Sequence, residues 1–251
     1  MKKHILFCMT VVGLLLLSNM QIQAQEKTLE AGEILARVDN VVNAPKDQDL
    51  KVKLILTDKN GEEKVREMLM IQKGFDKRLV KFLSPADQKG IGVLSLPDDI
   101  MYLYLPAFKK VRRIASHVKN TKFAGTDFTY EDMEAVRYAD KWIPHLSGKE
   151  DNSYILQLTP KEGSKSDYAK LVMWVRSDIF YPTKIEHYDK GGRLCKVMTR
   201  GNIEKVNDYW VSKESEMEDI KAKHKSKMML VDVKYDVGLI NEMFTERYLS
   251  R

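Results

Sequence analysis

Apolar positions along the chain fall into three regimes. The first is a nearly continuous run, Ile5–Leu17, preceded by Lys2 and Lys3. The second, "TLEAGEILARVDNVV" (28–42), repeats Ile34, Leu35, Val38, Val41 and Val42 at helical spacing, with Thr28 as its N-cap and Pro45 closing it. From Leu50 the period drops to two. "LKVKLILT" sets Leu50, Val52, Leu54 and Leu56 on one face and Lys51 and Lys53 on the other, and "DKNG" (58–61) supplies a hairpin turn. Further strands read at "KVREMLMIQKG", "KRLVKFLSP", "GIGVLSL", "IMYLYLP" and "KKVRRI", then from "SYILQLTP" to "KSKMMLVDVKYDV". "NEMFTERYL" near the end reads as a short helix or a final strand. About eleven short strands without long helices between them predict a mainly β chain built on one antiparallel sheet. No linker, low-complexity tract or strong internal repeat divides it, so one domain is expected.

Many of these strands break clean alternation. "EMLMI", "GVLSL", "YLYLP", "LVMWV" and "KMMLV" carry Met, Leu and Tyr on both faces, whereas a sheet with one wet face should alternate. A second covering layer, or an interior space filled by something else, would relax that pattern. The 13 methionines fit a surface that adapts to variable apolar shapes, and equally an ordinary core that uses Met.

The N-terminal regime has the layout of a secretory signal peptide: a basic start, an apolar run too short to span a bilayer, and "IQAQ" ending in the small Ala24. Cleavage after Ala24 would leave residues 25–251 as the mature domain, outside the cytoplasm. Cys8 would be removed and Cys195 left alone, so no internal disulfide is available and the fold must stand on its core. Losing Lys2 and Lys3, with no Asp or Glu in the leader, lowers the net charge from +6 to +4. That balance permits an encounter with an anionic surface but does not require one.

Motifs for catalysis are scarce. GxSxG, HExxH, GxxxxGK[ST] and paired CxxC are absent, and "GIG" (90–92) lacks the third glycine of a dinucleotide site. His117, His145, His187 and His224 fall in separate segments without ligand spacing, and Cys195 sits mid-strand. The stretch "FAGTDFTYEDM" (123–133) packs Asp127, Glu131 and Asp132 between aromatic residues. Those carboxylates could serve a hydrolase, but Thr126 or Asp127 as an N-cap and acids in a first helical turn read better as a structural corner. Between Lys109 and Lys122 there are six Lys/Arg and no acid. Lys109, Lys110, Arg112 and Arg113 head this stretch, which could touch lipid phosphates or an acidic partner, or be a solvated hairpin. Nucleic acid is not expected as a partner of a secreted chain.

Three segments in order, "FLSPADQKGIGVL" (82–94), "MYLYLPAFKKVRRI" (101–114) and "GTDFTYEDM" (125–133), resemble the outer membrane lipoprotein-sorting protein-like family of the LolA-like superfamily. The resemblance extends over most of the chain beyond residue 26. It implies an open, strongly curved antiparallel sheet, an unclosed barrel with helices covering its concave face, and an apolar cavity for acyl chains between them. It also implies a carrier of lipids or acylated lipoproteins towards the outer membrane, without covalent chemistry, cofactor or metal, and monomeric. A sensing module, or an accessory to an inner-membrane exporter or release complex, is the alternative. On this reading the cavity wall is sought among Leu54, Leu56, Met68, Met70, Leu94, Leu96, Met101, Leu103, Leu105, Met173 and Met229.

Overall fold

A computed structural model describes residues 29–251; the expected leader (1–24), Cys8 and Thr28 lie outside the described residues. Helix α1 (Ala31–Val42) forms where the helical period predicts it, with Glu30 rather than Thr28 in the N-cap position. It buries Ile34, Leu35, Val38 and also Asp39. The following thirteen strands pair only antiparallel. The first six are β1 (Asp47–Thr57), β2 (Glu63–Lys73), β3 (Lys77–Ser84), β4 (Gly92–Leu96), β5 (Ile100–Leu105) and β6 (Lys110–Arg113). An irregular segment, 114–141, contains the 3-10 turns Ser116–Val118 and Glu131–Met133 and the short helix α2 (Tyr138–Lys141). Then come β7 (Trp142–Glu150), β8 (Ser153–Pro160), β9 (Lys170–Arg176), β10 (Pro182–Tyr188), β11 (Leu194–Val206), β12 (Tyr209–Asp219) and β13 (His224–Tyr235). A tail with a turn at Asn241–Met243 and helix α3 (Glu246–Leu249) ends the chain.

The sheet is one meander joined to itself at its ends. Its order is β6-β5-β4-β3-β2-β1-β13-β12-β11-β10-β9-β8-β7, so the first and last strands pair and the open seam falls between β6 and β7. The expected open, unclosed barrel is the fold observed, with thirteen strands in place of about eleven. Strand β7 was hidden in the sequence because Pro144 and Gly148 interrupt it. Proline donates no ladder hydrogen bond and is tolerated at sheet edges, which is where β7 lies.

Three apolar clusters hold the layers. In the first, Leu50, Val52, Leu54 and Leu56 of β1 meet Phe82, Met101 and Met217, and Phe123, Phe128, Tyr130 and Met133 of the 114–141 segment pack onto them. In the second, Ile34, Leu35 and Val38 of α1 cover Leu156, Leu158, Met173, Val175 and Ile185. The third lies on the opposite side of β2–β4. There Ile71, Leu79 and Leu94 are sealed by Leu239, Phe244 and Leu249 of the tail. Neighbouring residues alternate between clusters: Val80 and Val93 join the first, Leu79 and Leu94 the third. The cover of the concave face is thus one helix plus a largely irregular segment, and the apolar outer face of β2–β4 is explained by a second cover, the tail. In "KMMLV" the break in alternation has a different outcome: Met228 and Leu230 pack inward, while Val231 is 67% exposed.

Polar anchors fix both covers. The Asp47 carboxylate accepts from the backbone N–H groups of Val237 (2.8 Å), Gly238 (3.0 Å) and Leu239 (3.0 Å), which starts the tail in register. Gly92 lets the tail approach, since a Cβ there would stand 2.9 Å from Leu249 Cδ1 and 3.0 Å from the Val80 carbonyl oxygen. Asp39 accepts from the N–H groups of Tyr138 (2.7 Å) and Ala139 (2.9 Å), fastening α2 to α1. If the tail is part of the core, Phe244→Ala and Leu249→Ala should each lower unfolding free energy by about 2–5 kcal/mol. Urea titration measures this; losses within about 0.5 kcal/mol, as at surface sites, would mean the tail is dispensable.

Candidate ligand cavity and its cover

Segment 114–141 leaves β6, crosses the seam and lies on the concave face before entering β7. Its central part, 123–133, is folded by its own polar groups. Phe123 N–H donates to the Phe128 carbonyl (2.8 Å), and Thr126 Oγ1 donates to the Phe123 carbonyl (2.8 Å). Ala124 and Gly125 both take positive φ, 48° and 73°, which the short polar loop requires. Thr129 and Asp132 close a reciprocal turn: Asp132 Oδ2 accepts from Thr129 N–H (2.7 Å), and Thr129 Oγ1 accepts from Asp132 N–H (3.1 Å). Phe123 then stacks on Phe82 with ring centroids 5.3 Å apart.

Two of the three carboxylates of this corner, Asp127 and Asp132, hold structural partners. Asp127, fully buried, receives hydrogen bonds from Lys122 Nζ (2.9 Å) and Ser226 Oγ (2.7 Å) and lies 2.5 Å from His224 Nδ1. That order, a carboxylate between serine and histidine, is not a nucleophile–base–acid relay, which needs serine to donate to the imidazole. Asp132 sits near Lys196 Nζ (3.4 Å), and the Tyr168 hydroxyl donates to it. Burial pushes the Asp132 carboxyl up, but Lys196 and His187 outweigh that and hold it below its ordinary range. Glu131 titrates above the ordinary glutamate range because of burial. No group of His, Cys, Asp and Glu among the described residues could hold a metal ion.

Beneath the corner lies a cavity of about 190 Å³, between the first two apolar clusters. Its apolar side includes Trp142, Leu171, Ile185, Met198 and Met217, and its polar side includes Arg78, His187 and Arg200. Arg78 Nη1 donates to the carbonyls of Glu134 (2.9 Å) and Met133 (3.4 Å), and Nε and Nη2 donate to Gln72 Oε1 (2.9 and 2.6 Å). It therefore ties the corner to β3. Burial lowers its pKa to about 10. A space of this size falls short of the roughly 300–1,000 Å³ of typical small-molecule sites, so a long ligand needs the corner to move.

None of the eleven residues sought as cavity wall lines this space. Leu54, Leu56, Met68 and Met101 are buried under the corner, with Met70 and Leu103 packed beside them. Met173 lies under α1, Leu94 and Leu96 under the tail, Leu105 is half-buried, and Met229 is next to Met228 on the strand face turned from the core. The basic stretch divides. Lys109, Lys110, Arg112 and Arg113 are exposed or nearly so on the β5–β6 hairpin beside Phe108, which is 63% exposed. Lys119 instead is buried, pairing with Glu134 and with Asp99 (2.6 Å), and Lys122 bridges Asp127 and Asp219. Arg78, His187 and Arg200 were missed in the sequence. Each occupies an inward position by strand parity, two residues from Val80, Ile185 and Met198, and a polar residue on an apolar face was the available signal.

Two predictions follow from these contacts. Asp127→Asn, which removes the charge that Lys122 and His224 face, should destabilise the fold by about 2–4 kcal/mol in urea titration; a change near zero would mean the latch is not needed. Burial lowers the His187 pKa from 6.5 to about 4, so the unfolded chain binds an extra proton between those values. His187 thus favours the fold above pH 6.5 and loses that contribution as pH falls towards 4, with a slope of about 1.4 kcal/mol per pH unit. Stability measured from pH 7 to 4 should fall less in His187→Phe than in the parent; parallel curves would contradict this.

A family model described as "Uncharacterized protein" matches residues 74–251. A search of curated protein sequences finds no match. Among solved structures, an outer membrane lipoprotein-sorting protein domain from Vibrio parahaemolyticus aligns with a TM-score of 0.79 at 28% identity, covering 88% of this chain and 97% of that one. A DUF1329 family protein from Desulfovibrio piger gives 0.82 at 28% identity, covering 87% and 97%. A LolA superfamily protein from Nitrosomonas europaea gives 0.75 at 21% identity, covering 88% and 99%, and shares the fold. The family model covers more than half of the chain, so the chain belongs to that family, and its open thirteen-stranded sheet with a crossing cover is the fold these three structures share.

Proposed function

We propose that this chain is a periplasmic carrier that takes the acyl chains of a lipid or lipoprotein onto the concave face of its sheet and passes them towards the outer membrane. The observation that carries the reading is the corner. Phe123, Phe128, Tyr130 and Met133 sit on Leu54, Leu56, Met68 and Met101 as an internal stand-in for an apolar ligand. When the corner lifts, those residues, with Met70 and Leu103, become the wall that receives the chain. Burying a large apolar side chain is worth about 1.5–3 kcal/mol, and each CH₂ of an acyl chain about 0.8 kcal/mol. A dozen or more CH₂ groups therefore roughly offset the loss of the corner's contacts. Exchange stays near balance, as release to an acceptor requires. The mechanism uses no covalent step.

The exposed β5–β6 hairpin favours a second reading. Lys109, Lys110, Arg112 and Arg113 form no ion pair among the described residues, and Phe108 stands out beside them. An accessory or sensing module would use this surface to dock on an inner-membrane exporter or release complex.

Native mass spectrometry of protein purified from the periplasm tests the carrier reading. A phospholipid or acylated protein bound near one-to-one is the expected result. A clean apo mass together with no binding of added acyl probes would overturn it. Reversing the four hairpin charges to Glu should leave acyl-probe binding unchanged in a carrier but remove co-purification with a membrane partner in a docking module.

A further inference from the structure

The cavity under the corner has a charge balance that an acyl site does not need. Arg78, Lys141 and Arg200 line it together with the carboxylates of Glu131, Asp132 and Glu134, and only some of these groups pair with one another. Glu134 pairs with Lys119 and Lys141, Asp132 lies near Lys196, and Glu131 makes no ion pair among the described residues. Arg78 and Arg200 are left over. Arg78 spends its donors on amide and backbone carbonyl oxygens. Arg200 faces the Tyr138 side chain and otherwise makes long contacts, to the Pro182 carbonyl (3.5 Å) and Met198 Sδ (3.9 Å), with the Tyr181 ring 5.9 Å away. Neither guanidinium has a carboxylate within ion-pairing distance. A guanidinium taken from water without a counter-charge is costly, so two of them facing one space call for an anion.

A second observation points the same way. His187 lines the same cavity at 5% exposure, and its Nδ1 is buried without a hydrogen-bond partner. Buried polar atoms are nearly always satisfied, so one without a protein partner is a donor or acceptor open to a ligand. Leu171, Ile185 and Met217 line the same space. A lining that combines guanidiniums with aliphatic side chains suits an amphiphile, head to the arginines and chain along the aliphatic groups.

We infer that the cavity is the head-group site of the carried lipid and selects an anionic head, a carboxylate or phosphate, received by Arg78 and Arg200 with His187 beside them. The inference rests on the carrier reading and deepens it: the corner decides whether a chain enters, and the arginines decide which chain stays. Charge-assisted hydrogen bonds are the strong ones, and Arg200, whose donors are the less engaged of the two, offers a planar fork that lysine would not supply.

The test displaces a neutral fluorescent acyl probe from the mature protein with four C12 amphiphiles of different heads: laurate, dodecyl phosphate, dodecanol and dodecyltrimethylammonium. Laurate or dodecyl phosphate should bind at least about tenfold more tightly than dodecanol, and the ammonium least well. Whichever anion leads identifies the head as carboxylate or phosphate. In Arg200→Gln, whose amide can still face Tyr138, the anion-to-alcohol ratio should fall to near one while the melting temperature is kept. Equal affinity across the four heads would overturn the inference and leave the carrier standing. A high ratio untouched in both Arg200→Gln and Arg78→Gln would also overturn it, since the head would then sit elsewhere. Failure of the probe and all four amphiphiles to bind would bring down the carrier reading along with it.

Discussion

A curled sheet that does not close leaves its concave apolar face to be covered, and everything else in this molecule follows from how that is done. The strand order runs from β6 round to β7 with β1 and β13 joined in the middle, so the sole gap lies where segment 114–141 passes from one edge to the other. The segment that spans the gap is therefore also the one placed to cover the interior. Its aromatic side chains fill half of the concave face, and α1 fills the other half. The tail does the same on the outside of β2–β4. Three covers on one sheet account for strands that are apolar on both sides.

The covers are not fastened alike. The tail and α1 present fully buried Leu249, Ile34 and Leu35 to the sheet. The corner combines aromatic packing with polar latches: Asp127 to Ser226 and His224, Lys196 to the Asp127 carbonyl, and Arg78 to the carbonyls at 133 and 134. Polar latches net only about 0.5–3 kcal/mol each, because water replaces them when they open, whereas exposing apolar surface has no such substitute. A cover held this way is suited to exchange, and it sits over the cavity that Arg78 and Arg200 line without an ion pair. The mobility proposed for the corner and the head-group preference proposed for the arginines therefore draw on the same residues.

Much of this was legible in the sequence. The switch from helical to two-residue period at Leu50 located α1 and the sheet, and three ordered segments carried the family. The corner "FAGTDFTYEDM" read as architecture, and its Asp127 and Asp132 have structural partners. What escaped has particular causes. Strand β7 was masked by Pro144 and Gly148, which local propensity penalises although an edge strand tolerates them. The six-residue basic stretch looked uniform, yet Lys119 and Lys122 are engaged by Asp99, Glu134, Asp127 and Asp219, which lie far off in sequence or across a turn. Apolar residues sought as cavity wall are packed under covers, because composition cannot say which cover meets which face. Arg78, His187 and Arg200 were visible as polar residues at inward positions, but only the tertiary fold brings three strands' worth of them to one space.

The central claim is that the corner leaves the concave face when an acyl ligand takes it. Amide hydrogen exchange of residues 123–133, with and without a bound acyl ligand, tests this most directly. The account predicts that these amides lose protection on ligand binding while those of β1 and β13 keep theirs. Stoichiometric ligand binding with the 123–133 amides equally or better protected would contradict it.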